Sequence, residues 1–204
     1  YGREKESTQL LNIFEKVTTG HHEFVLIKGY SGIGKTSLIN EINKPVIEKR
    51  GWIATGKCSQ FYRNVPYYVL IQVFRGLLKW IYSQPNDHFN VLKQSLKNAV
   101  GPNGQIIIDL VPEFQTLLGV QPSVDLLNPV ESDNRMKYVI KQCIQCFASH
   151  SHPLVIVFDD VQWVDGVPAP EIGFPAIEQL AETITMGYYL PAGPTWIENP
   201  KETL

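Results

Sequence analysis

Residues 23–42, "EFVLIKGYSGIGKTSLINEI", constrain this chain more than any other stretch. A short, nearly continuous apolar run ends in glycine, as expected of a strand buried on both faces of a parallel sheet. A turn carrying Gly29, Gly32 and Gly34 follows, and then Leu38, Ile39 and Ile42 recur at helical spacing. The segment must therefore fold as strand, tight loop and helix, with Pro45 bending the helix or ending it early. Gly29 to Thr36 matches G-x-x-x-x-G-K-[ST] in full, in the context that gives the pattern its meaning. Glycines let successive backbone N–H groups turn inward on phosphate oxygens, and the start of a helix adds partial positive charge to the same anion. Lys35 is expected to reach the β- and γ-phosphates of a nucleotide, and Thr36 to present its hydroxyl to magnesium. The binding segment runs through Gly29, Tyr30, Ser31, Gly32, Ile33, Gly34, Lys35, Thr36 and Ser37.

A second apolar run, "LVIVFDDVQW", ends in Asp159 and Asp160. A carboxylate at that strand end is where a phosphate-loop fold holds magnesium, usually through water, and the reading assigns this to Asp159. Side chains alternate along a strand, so Asp160 points to the other side and is expected to polarise the attacking water, as a base or by hydrogen-bonded positioning, with Lys35 the other catalytic residue. Read alone, the acid pair is equally a solvated turn; the upstream loop tips the reading toward chemistry.

Elsewhere the pattern is helical. Leu10, Leu11, Phe14 and Val17 mark a helix before the first strand, and "GWIATGKC" supplies a second strand. Leu70, Ile71, Phe74, Leu77, Leu78 and Ile81 trace an amphipathic helix, and further helices are expected near residues 89–100, 105–111, 113–118 and 132–149. Nearly a hundred residues thus separate the second strand from the third, too many for one crossover, and they read as a helical elaboration. After Asp165 the alternation ends: residues 166–204 carry six prolines, and only "AIEQLAETI" and "ITMGYYL" look regular.

Together "YGREKE", "GYSGIGKTSLINEI", "GPNGQIIIDLVPEF", "ESDNR" and "LVIVFDDVQW" resemble one family, the AAA-type ATPase module of the STAND class, similar to the Orc-like AAA ATPase domain. The likeness extends to the module of large bacterial sensor proteins, where it lies between a serine/threonine kinase-like domain and GAF and histidine-kinase domains. The resemblance implies an α/β P-loop NTPase core over residues 1–165, with a parallel sheet flanked by helices, a large helical insertion before the Walker B strand, and an atypical or truncated tail over 166–204. It implies ATP and ADP as ligands, Mg2+ as cofactor, and Gly2, Arg3 and Glu4 beside the adenine, with Tyr1 next to them. The absence of a guanine-type N-K-x-D motif agrees. Arg63, in "GKCSQFYRNVPYY", reads as a solvated loop charge.

The family continues past "DDVQW" with a strand bearing a polar or arginine sensor, whereas residues 166–204 contain no arginine. That strand normally lies between the phosphate-loop strand and the strand ending in Asp159, and its backbone groups need partners. "TITMGYYLP" is the tail segment with the β-branched and aromatic content to take the place. The expected function is an ATP-binding switch with slow hydrolysis. A small-molecule or nucleotide kinase would need arginine clamps from a chain with five arginines. A non-catalytic interaction module is the third reading.

Charge and cysteine usage narrow the setting. A net charge of -2 leaves no basic stripe for nucleic acid. The longest apolar runs fall far short of the ~20 residues that cross a bilayer. Cys58, Cys143 and Cys146 are too few for a disulfide framework and suit a reducing compartment, so a cytoplasmic location is expected. Cys143, Cys146, His150 and His152 have zinc-ligand chemistry, but Met136, Val139, Ile140, Cys143 and Phe147 share one helical face, which directs Cys143 into a core. A chain beginning at Tyr1 is read as a segment of a longer polypeptide.

Overall fold

The strand expected from "EFVLIKG" is β1, Phe24–Lys28, and the helix before it is α1, Glu4–Thr18. The computed structural model describes residues 3–21, 23–30, 32–62, 65, 67–148, 152–160, 185–190 and 196–198. The helix read into "AIEQLAETI" lies outside them. The chain divides into two units, Tyr1–Leu70 with Ser149–Leu204, and Ile71–Ala148.

In the first unit α1 begins earlier than its apolar face, because Glu4 and Glu6 in the first turn complement the helix dipole. Arg3 stands at its N-cap, and the Arg3 carbonyl accepts from the Ser7 N–H at 2.9 Å. The helix after the glycine loop is broken into α2, Lys35–Asn40, and α3, Asn43–Glu48. Pro45 explains the break: it has no N–H for the Glu41 carbonyl and its ring presses on that carbonyl, yet it is tolerated in the first turn of a new helix. Strand β2, Trp52–Lys57, pairs in parallel with β3, Leu154–Asp159, so that Lys57 stands opposite Asp159. The approach is tight where the pair begins. A Cβ on Gly51 would stand 2.5 Å from the Pro153 carbonyl oxygen.

The tail contributes β4, Thr185–Leu190, and β5, Trp196–Glu198. The sheet order is β2-β3-β4-β1-β5, with β5 antiparallel on β1 and the other pairs parallel. β4 therefore takes the place between β1 and β3, where the ladders of two buried strands need a partner. Because β1 and β3 run the same way, the glycine loop and the Asp159 end lie on one edge of the sheet, where ligands bind in open α/β sheets. Leu10, Ile13 and Phe14 of α1, Val25 and Ile27 of β1, Leu38 and Ile39 of α2, Val46 of α3, and Val155 and Val157 of β3 form one apolar cluster beneath that edge. Each such side chain contributes roughly 1.5–3 kcal/mol when fully buried, which fixes the strand ends.

The second unit is helical. Helix α4, Tyr68–Tyr82, brings most of its length into it, followed by α5, Asn86–Val100, α6, Gly104–Leu110, α7, Gln115–Leu118, and α8, Pro129–Phe147. α5 packs on α8 and α7, and α6 packs on α8. Phe74 meets Phe114 edge to face at 5.5 Å, and Arg75 pairs with Glu113. Cys143 is fully buried on α8 beside Val139, Ile140 and Phe147, as its helical register requires. Among the described residues no group of three or more His, Cys, Asp or Glu side chains could hold a metal ion, and no helix is long and apolar enough to cross a membrane. His150, from the zinc reading, lies outside the described residues.

Candidate functional site

The glycine loop leaves β1 at Gly29 and enters α2 at Lys35. Gly32 has φ +77 and Gly34 φ +91, the left-handed region that a side chain would strain, and Gly34 is the N-cap of α2. The loop closes with the Ile33 N–H on the Tyr30 carbonyl at 3.3 Å. Lys35 turns back across it: Nζ donates to the Gly29 carbonyl at 2.8 Å and to the Tyr30 carbonyl at 3.0 Å. Tyr30, Gly32, Ile33, Thr36 and Ser37 are exposed along the same segment. Gly2 and Ser31, expected in the site, lie outside the described residues.

At the end of β3 the Cys58 N–H donates to the Asp159 carbonyl at 2.8 Å, which extends the ladder by one rung and fixes the Asp159 backbone. Asp160 then takes φ 58, a left-handed conformation uncommon outside glycine. Its carboxylate is 3.2 Å from Lys57 Nζ. Burial and the neighbouring Asp160 charge hold the Asp159 carboxyl above its ordinary range, while Lys57 and Lys35 pull it back. The Asp160 hydrogen bond and charge raise the Lys57 ammonium. Burial, with help from both aspartates, pushes the Cys58 thiol up to about 12.

Lys57 was not legible as a site residue, because its role depends on β2 lying directly beside β3. The signal available was its place in "GKC", at the end of a predicted strand.

Arg3 reaches the glycine loop from the start of α1. Nη2 donates to the Ile33 carbonyl, and the guanidinium carbon lies 3.8 Å from where a Cβ on Gly34 would stand. Nη1 is buried and has no hydrogen-bond partner among the described residues. Glu4 opens α1 directly behind it. One edge of the sheet thus gathers Lys35, Arg3 and Asp159 from separate parts of the sequence. Those groups fit a nucleotide with a divalent cation: an orphaned guanidinium N–H and an ammonium suit phosphate oxygens, and a desolvated carboxylate beside a second one suits a cation.

The profile of the AAA ATPase domain family matches residues 1–174. This chain is a member of the AAA ATPase domain family. A relative of this AAA module is the hybrid signal transduction histidine kinase G of Dictyostelium discoideum, 33% identical over 165 residues. The match covers 81% of this chain and 5% of that protein, so the module corresponds to a small part of a long signalling kinase. The resemblance in the sequence pointed to bacterial sensor proteins; the histidine-kinase setting is what the two have in common.

Proposed function

We propose that this AAA module, of the STAND class, binds ATP with magnesium and acts as a nucleotide-dependent switch within a multidomain signalling polypeptide. The observation that carries the reading is the sheet order: β1 and β3 run the same way on either side of β4, which sets the glycine loop and the Asp159 strand end on one edge. Lys35 would turn from the Gly29 and Tyr30 carbonyls to the β- and γ-phosphates, and Thr36 and Asp159 would hold magnesium. Magnesium supplies neutralisation of charge on the phosphate oxygens. Asp160 accepts a proton from, or positions, the attacking water, and its ion pair with Lys57 holds the carboxylate in place. By resemblance to the family, Gly2 and Glu4 would lie near the adenine.

Hydrolysis is slow in this reading. An arginine acting on the transition state is worth 10³ to 10⁵ in turnover for phosphate-loop enzymes, and residues 166–204 offer none. A slow γ-phosphate clock suits a switch that partner domains read, and the kinase-like, GAF and histidine-kinase domains of the polypeptide are the proposed readers, in the cytoplasm. Calorimetric titration with Mg·ATP tests the assignment. Lys35→Ala loses a charge-assisted contact of about 1.5–3 kcal/mol, so affinity should fall roughly tenfold or more. Equal affinity in the two proteins would refute the site.

A further inference from the structure

Resemblance sets Arg3 beside the adenine, but the guanidinium lies somewhere more specific. It packs on Gly34 in the glycine loop, with Nη2 tied to the Ile33 carbonyl. That tie fixes the plane of the guanidinium and so fixes where Nη1 points. Nη1 is buried with no hydrogen-bond partner among the described residues, and an unmet N–H on a charged group is costly to keep. A second cation stands on the same loop, since Lys35 Nζ is held by the carbonyls of Gly29 and Tyr30. Both cations are anchored to one short loop by its own carbonyls, and each gains when an anion binds beside it.

The guanidinium is the group that can do both tasks at once. Its planar fork carries five N–H donors, so one edge can hold a protein carbonyl while another donates to an oxyanion. Adenine offers neutral ring nitrogens and an exocyclic amine, a poorer match for an orphaned cationic N–H than phosphate oxygen.

We infer that Arg3 is a phosphate ligand of the nucleotide: Nη1 donates to a phosphate oxygen while Nη2 keeps the α1 N-terminus docked on the glycine loop. Adenine recognition then falls to other groups. The inference rests on the nucleotide-binding reading above and deepens it. It also couples α1 to the phosphate state, because the residue that touches the ligand is the one at the helix N-cap.

Sodium tripolyphosphate, which has the phosphate chain and no base, separates the alternatives. Its affinity and that of ATP are measured by calorimetry on the wild-type chain and on Arg3→Gln, Arg3→Lys and Lys35→Ala, each first checked for an unchanged thermal transition. The expected result is that Arg3→Gln weakens tripolyphosphate and ATP by the same factor, roughly tenfold or more. Arg3→Lys should recover part of that loss, since it restores charge without the fork. ATP binding that falls while tripolyphosphate binding does not would make Arg3 a base contact and overturn the inference. So would no change in either ligand, or a wild-type chain that binds ATP and not tripolyphosphate. If Lys35→Ala weakens ATP while the Arg3 variants do not, the Arg3 assignment alone fails; a wild-type chain that binds neither ligand overturns the nucleotide reading with it.

Discussion

Asp160 sits at φ 58, a conformation that costs a non-glycine residue on the order of 1 kcal/mol and persists only when its surroundings hold it there. Lys57 supplies part of that hold at 3.2 Å, though a pair with side chains 63% and 34% exposed is worth under about 1 kcal/mol. Asparagine tolerates the left-handed region well, so Asp160→Asn should leave stability within about 1 kcal/mol of wild type, leave Mg·ATP affinity nearly intact, and slow turnover. Asp159 behaves in the opposite way. Its carboxyl is raised by burial and by the Asp160 charge, so the stability gained by protonating it is complete below the unfolded pKa and is lost as pH rises through the folded one. At neutral pH the ionised group is a cost that a cation would relieve. Asp159→Asn should therefore raise the melting temperature at pH 7 in metal-free buffer, with the advantage shrinking toward pH 3, while weakening magnesium-dependent ATP binding roughly tenfold. Equal loss of binding in both variants, seen by calorimetry, would contradict the division of roles. Cys58 gives an independent check on this end of the sheet, and Cys146 on α8 a check on the helical unit. With Cys58 pushed up to about 12 and Cys146 to about 11, the folded chain should resist alkylation at pH 8 and label rapidly in denaturant. Fast labelling of Cys58 in the folded chain would mean that the β2 end is open.

The strand–loop–helix unit was readable at the scale of elements because its signals are local: an apolar run, glycines at fixed offsets, a helical face. Where a boundary depends on a cap, the reading slipped. Helix α8 was expected from Ser132 and begins at Pro129, because Asn128 caps it, accepting from the Glu131 N–H at 2.9 Å, with Pro129 in the first turn. Asn and Pro side by side read equally well as loop residues. Asn128→Ala should lower stability by about 1 kcal/mol in chemical denaturation, and Asn128→Asp or Asn128→Ser should restore it. No change in Asn128→Ala would mean that the cap contributes nothing. The split of the helix after the glycine loop was foreshadowed by Pro45, since a ring without an N–H cannot continue a helix. What local pattern could not yield was adjacency. That Lys57 faces Asp160, and that Arg3 crosses 30 positions of sequence to reach Ile33, follow from sheet order and from the docking of α1, which depend on the whole core.

At the scale of the whole molecule, the first unit explains why distant residues converge: β1 and β3 are parallel, β4 fills the place between them, and the chemistry-bearing ends fall on one edge. The second unit, Ile71–Ala148, has its own helical packing and contributes none of the proposed ligands. In the proposed function the module holds Mg·ATP and turns it over slowly, as a timed switch does. Single-turnover hydrolysis of γ-labelled ATP, with the 204-residue chain in excess over nucleotide, tests it most directly. ATP should stay on the protein and turn over at a rate on the order of 10⁻⁴ to 10⁻² s⁻¹, the range of phosphate-loop proteins acting without a partner's arginine. A rate of several per second from this chain alone, or ATP that never associates with it, would rule out a slow nucleotide switch.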